Sequence, residues 1–298
     1  MNLSQSTWLP HIVAILVVVI WGSTFVFTKL LLINGLTAAH IFTLRFIIAY
    51  VLLLAFSLSR NDHRWMSRSW RDELVMLGLG LTGGSLYFLT ENESLNYTTT
   101  TNTSLIVCCC PLVAAVLIGL FYKSQRLRAS QIAGLLLSAL GVSAVVLNGH
   151  FVLHLSPLGD MLALAANFCW AVYSLLMIPV GRSYGTVFIT RKVFFYGLLT
   201  MIPYYVFVPD MPSPDVLLRP QVIGNLLFLG CIASMFCFLA WTWVMNRLGA
   251  VIATNYVYIN PVATIVFASI ILNERITSFF IFGTFLILLG MYLADRRG

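Results

Sequence analysis

The sequence predicts an all-α integral membrane protein with ten transmembrane helices in two inverted five-helix repeats. Three observations predict this fold class: the composition is very apolar, ten apolar runs alternate with short polar connections, and residues recur about 150 positions apart. Of the 298 residues, 60% are hydrophobic and only 9% are charged, whereas a soluble domain has about 25% charged residues. A chain this apolar requires lipid as its solvent.

Each apolar run approaches the length of roughly 20 residues that a helix needs to cross the ~30 Å hydrocarbon layer. The first run lacks the basic start and the cleavage site of a signal peptide, so we interpret it as an uncleaved helix. The predicted spans are about 11–32, 37–58, 74–91, 98–120, 129–147, 157–179, 187–208, 221–243, 250–272 and 276–294.

Lysine and arginine residues concentrate in alternate connections, which predicts the orientation. With a cytoplasmic N-terminus, 13 of the 17 Lys and Arg residues lie in inner connections or the C-terminal tail, and only Arg219 and Arg275 lie in outer connections. Inner connections normally carry this excess. We therefore expect a multi-pass protein of the cytoplasmic (inner) membrane with both termini in the cytoplasm. The basic residues form no stripe, so we expect no nucleic-acid partner.

The six cysteines all lie in apolar runs, and three of them are consecutive at 108–110. Successive helical residues diverge by about 100°, so this triplet cannot converge on one metal ion. Free cysteine packs as a small apolar side chain. We expect neither a metal nor any other cofactor.

Matching residues define the two repeats. Trp21 and Trp170 lie 149 positions apart, and Pro111 and Pro261 lie 150 apart. The predicted boundaries are 1–147 for the first repeat, 148–156 for a linker and 157–294 for the second repeat. Because each repeat has five spans, the second enters the membrane from the opposite side. Inverted repeats are typical of secondary transporters, which bind substrate near the midplane between the halves.

A membrane-embedded enzyme acting on lipid or isoprenoid substrates is the alternative function. Such an enzyme needs His, Asp or Glu residues clustered at one interface, whereas the five histidines here are dispersed over different loops and helix ends. The sequence also has no nucleotide-binding loop, so we expect transport to be driven by a gradient.

Three segments resemble the EamA-type transporters of the drug/metabolite transporter superfamily: WGSTF in the first span, SLNYTTTTNTSLIVCCCPLVAAVLIGLF, and MNRLGAVIATNYVYINPVATIVFASIILNERIT. The second half carries the family's NP at 260–261 and ERIT at 274–277. The first half departs from the pattern, with Cys110 before the proline and SQ at 124–125 where an acidic residue is usual. The resemblance implies ten helices, a central cavity and movement of small metabolites, mostly outward in bacteria.

Trp21 lies about ten residues into its span, roughly 15 Å deep and near the midplane. We expect it to line a wet cavity, where its N–H is solvated; the alternative is interhelical packing with the N–H bonded to a carbonyl. Because aromatic and amide groups dominate at this depth, the sequence predicts a zwitterionic or neutral solute with apolar bulk, such as an amino acid. The predicted substrate-binding residues are Trp21, Ser23, Thr24, Tyr87, Asn102, Asn167, Trp170, Tyr173, Trp241, Asn255 and Tyr258.

Arg45 lies about 13 Å deep in its span, where a charge needs a partner or water. Glu91 is the expected partner, and we predict that the two couple export to proton entry by making and breaking contact. A static ion pair, or a solvated helix end, is the alternative. Pro111 and Pro261 are expected to lie mid-helix, as hinges or as static kinks.

Overall fold

The computed structural model describes residues 8–59, 64–98, 103, 106–122, 128–147, 156–272 and 278–295. These residues form helices and connections without any β-strand. Asn102 and the ERIT motif lie outside the described residues. The α-helices are α1 (Leu9–Ile33), α2 (Ala38–Ser59), α3 (Trp70–Tyr97), α4 (Cys110–Phe121), α5 (Ala129–Leu147), α6 (Pro157–Gly181), α7 (Thr186–Leu199), α8 (Ile202–Phe207), α9 (Pro214–Leu217), α10 (Pro220–Leu248), α11 (Ala250–Asn255), α12 (Asn260–Leu272) and α13 (Ser278–Asp295).

Five of these helices, α1, α2, α3, α6 and α10, are long and apolar enough to cross a membrane. The other predicted spans coincide with shorter helices, and the predicted span 187–208 comprises α7 and α8. The described residues are thus all-α, with several helices that are able to cross a membrane, as expected. The number of ten spans and their inverted arrangement stay predictions.

Two of the long helices contain a π-helical segment, at Leu81–Ser85 in α3 and at Phe228–Phe236 in α10. Glycines let neighbouring helices approach closely here. A Cβ at Gly80 would lie 2.8 Å from the backbone nitrogen of Gly197 in α7, and one at Gly230 would lie 2.7 Å from the Cβ of Ile48 in α2. Gly80 and Gly230 are 150 positions apart. The third helix of each predicted repeat therefore shares both the irregularity and the close contact.

The α3–α7 contact, near the beginning of α3, is held by buried charges. Lys192 forms an ion pair with Glu73, and the Tyr196 hydroxyl donates a hydrogen bond to the same carboxylate. The backbone N–H of Ser67 donates to its other oxygen at 2.7 Å. We call Glu73, Lys192 and Tyr196 the charged seam. A buried ion pair stabilises only when such additional hydrogen bonds satisfy it.

The contact of α1 and α2 with α10, near the beginning of α2, is apolar. We call this contact the apolar seam. Its buried residues are Leu31, Leu36, Ile41, Val222, Leu226, Leu229 and Ala233. The first half of the chain thus contacts the second through charged groups in one seam and through apolar groups in the other.

Pro111 and Pro261 are the second residues of α4 and α12. A turn at Cys109 precedes α4, and a 3₁₀ helix at Tyr256–Ile259 precedes α12. Each proline thus lies inside a longer helical run, directly after a local break, and its role as a hinge or a static kink stays a prediction. Proline fits this position because its missing N–H would have no intrahelical partner there.

Candidate functional site

A cavity lies between α1, α2, α3, α4, α6, α10 and α12 and contains about 460 Å³ of empty volume, including open solvent at its mouth. About 30 Å³ of this space is open to the centre of a water molecule, so in this state the cavity holds roughly two or three waters and must widen to admit a solute. The residues that line the cavity are Trp21, Thr24, Phe25, Arg45, Tyr87, Phe88, Glu91, Val107, Cys110, Trp170, Phe238, Val257 and Asn260. Most of this lining is aromatic or aliphatic, with the polar groups few and separate.

Trp21 forms part of an aromatic wall. Its ring meets that of Trp170 edge-on at a centroid distance of 5.4 Å, and it lies 5.6 Å from Phe238 and 5.1 Å from Trp241. The Trp21 Nε1–H donates to the carbonyl oxygen of Ala233 at 2.9 Å. The expectation of a solvated N–H was wrong, because a carbonyl in the π-helical segment of α10 accepts it. The bond fixes the ring as a rigid wall.

Two polar atoms in the cavity lining have no hydrogen-bond partner among the described residues: Nε1 of Trp170 and Oδ1 of Asn260. A buried donor or acceptor without a partner loses about 1–3 kcal/mol of solvation. Both atoms are shielded from solvent in this state.

Arg45 and Glu91 both line the cavity. The Arg45 side chain is buried, its Nε donates to Oγ of Ser234 at 2.9 Å, and its guanidinium carbon lies 4.4 Å from the centre of the Phe88 ring. Glu91 accepts a hydrogen bond of 2.7 Å from the Tyr87 hydroxyl. No ion pair joins Arg45 to Glu91, although the structure describes both side chains. The predicted contact is therefore not formed in this state.

Some predicted substrate-binding residues are buried but do not line this cavity. Three of these bond to backbone: Asn167 donates to the Ile106 carbonyl at 2.5 Å, and Tyr258 to that of Leu135 at 3.2 Å, while Ser23 bonds to its own helix. Tyr173 packs against Trp170, and Trp241 against Trp21, behind the wall. The full set is Ser23, Asn167, Tyr173, Trp241, Asn255 and Tyr258.

Sequence reasoning overlooked several apolar lining residues, although the repeat spacing could have revealed them. Phe88 and Phe238 lie 150 positions apart, and so do Val107 and Val257. Trp21 and Trp170, 149 apart, complete the pattern. Much of the apolar lining therefore consists of repeat-related pairs.

The chain is similar to several transporters over nearly its whole length. An "Uncharacterized transporter" of Archaeoglobus fulgidus is 29% identical over 96% of this chain and 97% of its own length. A "Probable amino-acid metabolite efflux pump" of Escherichia coli K12 is 25% identical over 95% and 93%. A "Probable terminal-alkyne amino-acid exporter" of Streptantibioticus cattleyicolor is 24% identical over 100% and 95%.

A crystal structure superimposes on this fold with a TM-score of 0.76 at 18% identity, over 98% of this chain and all of that one. The model of the EamA-like transporter family matches residues 8–147 and 157–294. The chain therefore belongs to the EamA-like transporter family and is a multi-pass membrane transporter of the drug/metabolite type.

Proposed function

We propose that the protein is a secondary transporter that exports a small metabolite with apolar bulk, such as an amino acid, across the cytoplasmic membrane. The observation that carries this proposal is the central cavity, whose aromatic walls come from both halves of the chain. A substrate held between two such halves can be released to either side when one half tilts against the other.

An inverted repeat is supported by the helix contacts. Helix α3 packs on α6 as α10 packs on α1, and α4 packs on α6 as α12 packs on α1. The charged seam joins α3 to α7, and the apolar seam joins α1 and α2 to α10, so each seam connects the first half to the second. Alternating access requires such separable contacts at each end.

The names of the relatives favour export of an amino-acid-like solute. The relatives from E. coli and S. cattleyicolor are named for amino-acid efflux or export. Names of transporters and pumps favour transport over a membrane enzyme acting on lipid or isoprenoid substrates.

The test is reconstitution in liposomes with a panel of labelled amino acids and nucleosides, with and without a pH gradient. Uptake of an amino acid above that of protein-free liposomes is the expected result. Failure to move any solute of the panel would contradict the proposal.

We also propose that protons drive export through Glu91. In this scheme the Glu91 carboxylate contacts Arg45 in one state and takes up a proton in the other. Protons would then enter the cell as solute leaves it. Glu91→Gln keeps the shape and removes the charge, and we expect it to abolish accumulation driven by a pH gradient. If Glu91→Gln concentrates solute with an unchanged pH dependence, Glu91 has no coupling role. Glu93→Gln, two residues away and outside the cavity, is the matched control.

A further inference from the structure

We propose that Arg45 binds the carboxylate and Glu91 the ammonium group of an amino-acid zwitterion, and that the solute side chain lies against the aromatic wall. The inference rests on the proposed function and adds the recognition chemistry and the orientation of the solute. Selectivity for analogues tests this recognition, whereas pH dependence tests the coupling role of Glu91.

Arg45 is a buried charge with an incomplete set of partners. Its only hydrogen bond to a described residue is the one from Nε to Ser234. This bond, together with the Phe88 ring beneath the guanidinium, fixes the plane of the group. The terminal nitrogens donate no hydrogen bond to a described residue, and the residue lines the cavity. A planar guanidinium with free terminal N–H groups matches a carboxylate in two parallel hydrogen bonds.

Glu91 provides the opposite charge in the same cavity. The Tyr87 hydroxyl donates to its Oε1, and its Oε2 accepts no hydrogen bond from a described residue. A carboxylate fixed by one donor is still an acceptor for a further N–H group. Because Arg45 and Glu91 do not neutralise each other, a solute carrying both charges would satisfy both at once. A solute with one charge would leave the other residue unpaired in a dry site, which is costly.

The charged groups come from the first half alone. The position 149 after Arg45 is Phe194, and the position 150 after Glu91 is Trp241. At the same spacing, Cys237 corresponds to Tyr87. Both halves thus contribute aromatic residues to the cavity, whereas only the first half contributes the charged residues. A solute therefore meets charge on the side of α2 and α3, and apolar surface at Trp170 and Phe238. This asymmetry selects one orientation and favours a solute with an aromatic or large aliphatic side chain.

The experiment measures binding of three probes to the purified protein by calorimetry. L-phenylalanine carries both charges, phenethylamine lacks the carboxylate, and 3-phenylpropionate lacks the ammonium group. We expect Arg45→Gln to weaken the binding of L-phenylalanine by about 10- to 100-fold. The variant should keep or strengthen the binding of phenethylamine, which then leaves no unpaired Arg45 behind. We expect Glu91→Gln to weaken the binding of L-phenylalanine to a similar degree, and to keep or strengthen the binding of 3-phenylpropionate, which then leaves no unpaired Glu91 behind.

Controls separate recognition from folding. Arg247→Gln and Glu93→Gln change charges outside the cavity and should leave all three affinities unchanged. If Arg45→Gln does not fold, Ser234→Ala is the alternative variant, because it keeps the charge but removes the hydrogen bond that fixes the guanidinium. It should weaken the binding of L-phenylalanine and leave the binding of phenethylamine unchanged. Equal weakening of all three probes by a cavity variant, or no weakening, would overturn the inference. Lack of binding of L-phenylalanine to the wild type would also overturn it, while transport of another solute in liposomes would leave the proposed function standing.

Discussion

The contact between α1 and α12 leaves no room for a methyl group at Gly22. A Cβ there would lie 2.7 Å from the Cβ of Ala263 and 2.9 Å from the carbonyl oxygen of Asn260. Carbon atoms pack at about 3.5–4.0 Å, so Gly22→Ala must separate the two helices by about 1 Å. The separation would also stretch the 2.9 Å hydrogen bond from Thr264 Oγ1 to the Gly22 carbonyl. Overpacking of this kind costs about 1–3 kcal/mol of folding free energy.

Thermal unfolding of the purified protein in detergent measures this cost, and we expect the Tm to fall by about 2–6 °C. Gly224→Ala is the matched control, because Gly224 is exposed in α10 and a Cβ there would meet nothing within 4 Å. Alanine is the better helix former by about 1 kcal/mol, so the control should keep or raise the Tm. Adding Ala263→Gly to Gly22→Ala removes one of the two clashing atoms and should restore part of the loss. Equal Tm values for Gly22→Ala and Gly224→Ala would refute the close contact.

Three further predictions test the cavity, the orientation and the charged seam. Trp21→Ala removes a wall of the cavity and should lower the transport rate about tenfold or more while the protein still reaches the membrane. Trp8→Ala changes an exposed ring and should lower the transport rate only slightly. Equal losses in the two variants would contradict the site assignment. In a cysteine-free background, an impermeant thiol reagent added from outside should label a cysteine at Ser213 but not one at Arg64, and the reverse pattern would overturn the topology. Lys192→Met leaves its partner carboxylate buried without a cation and should reduce the free energy of unfolding by about 3 kcal/mol; an unchanged Tm would show that this ion pair contributes nothing.

Much of the fold and part of the site could be predicted because depth and repeat spacing are visible in the sequence. The estimated depth of a residue in its span was enough to select Trp21, Trp170 and Arg45, and all three line the cavity. Composition selected the all-helical membrane class, since no soluble domain is so apolar. Spacing of about 150 residues would have added Phe88 and Phe238, had apolar residues been paired as carefully as polar ones.

The directions in which individual side chains point could not be predicted, because the long helices are not regular. A π-helical turn adds a residue and so rotates everything after it. Phe88 follows such a segment in α3, as Phe238 does in α10. The charged seam was missed for a different reason. Glu73 and Lys192 lie 119 positions apart, near ends of spans, where charges are usually solvated. Only the packing of α3 on α7 brings them together.

The difference between the two seams has a thermal consequence. Opening the apolar seam would hydrate Leu31, Val222 and their neighbours, and exposure of apolar surface raises the heat capacity. Opening the charged seam would hydrate Glu73 and Lys192, and exposure of polar surface lowers it. An exchange between states open at opposite ends would then carry a net heat-capacity change, so its free energy would curve with temperature. The balance of the two states would pass through an extremum at one temperature, and on either side of it the state with the open apolar seam would gain population.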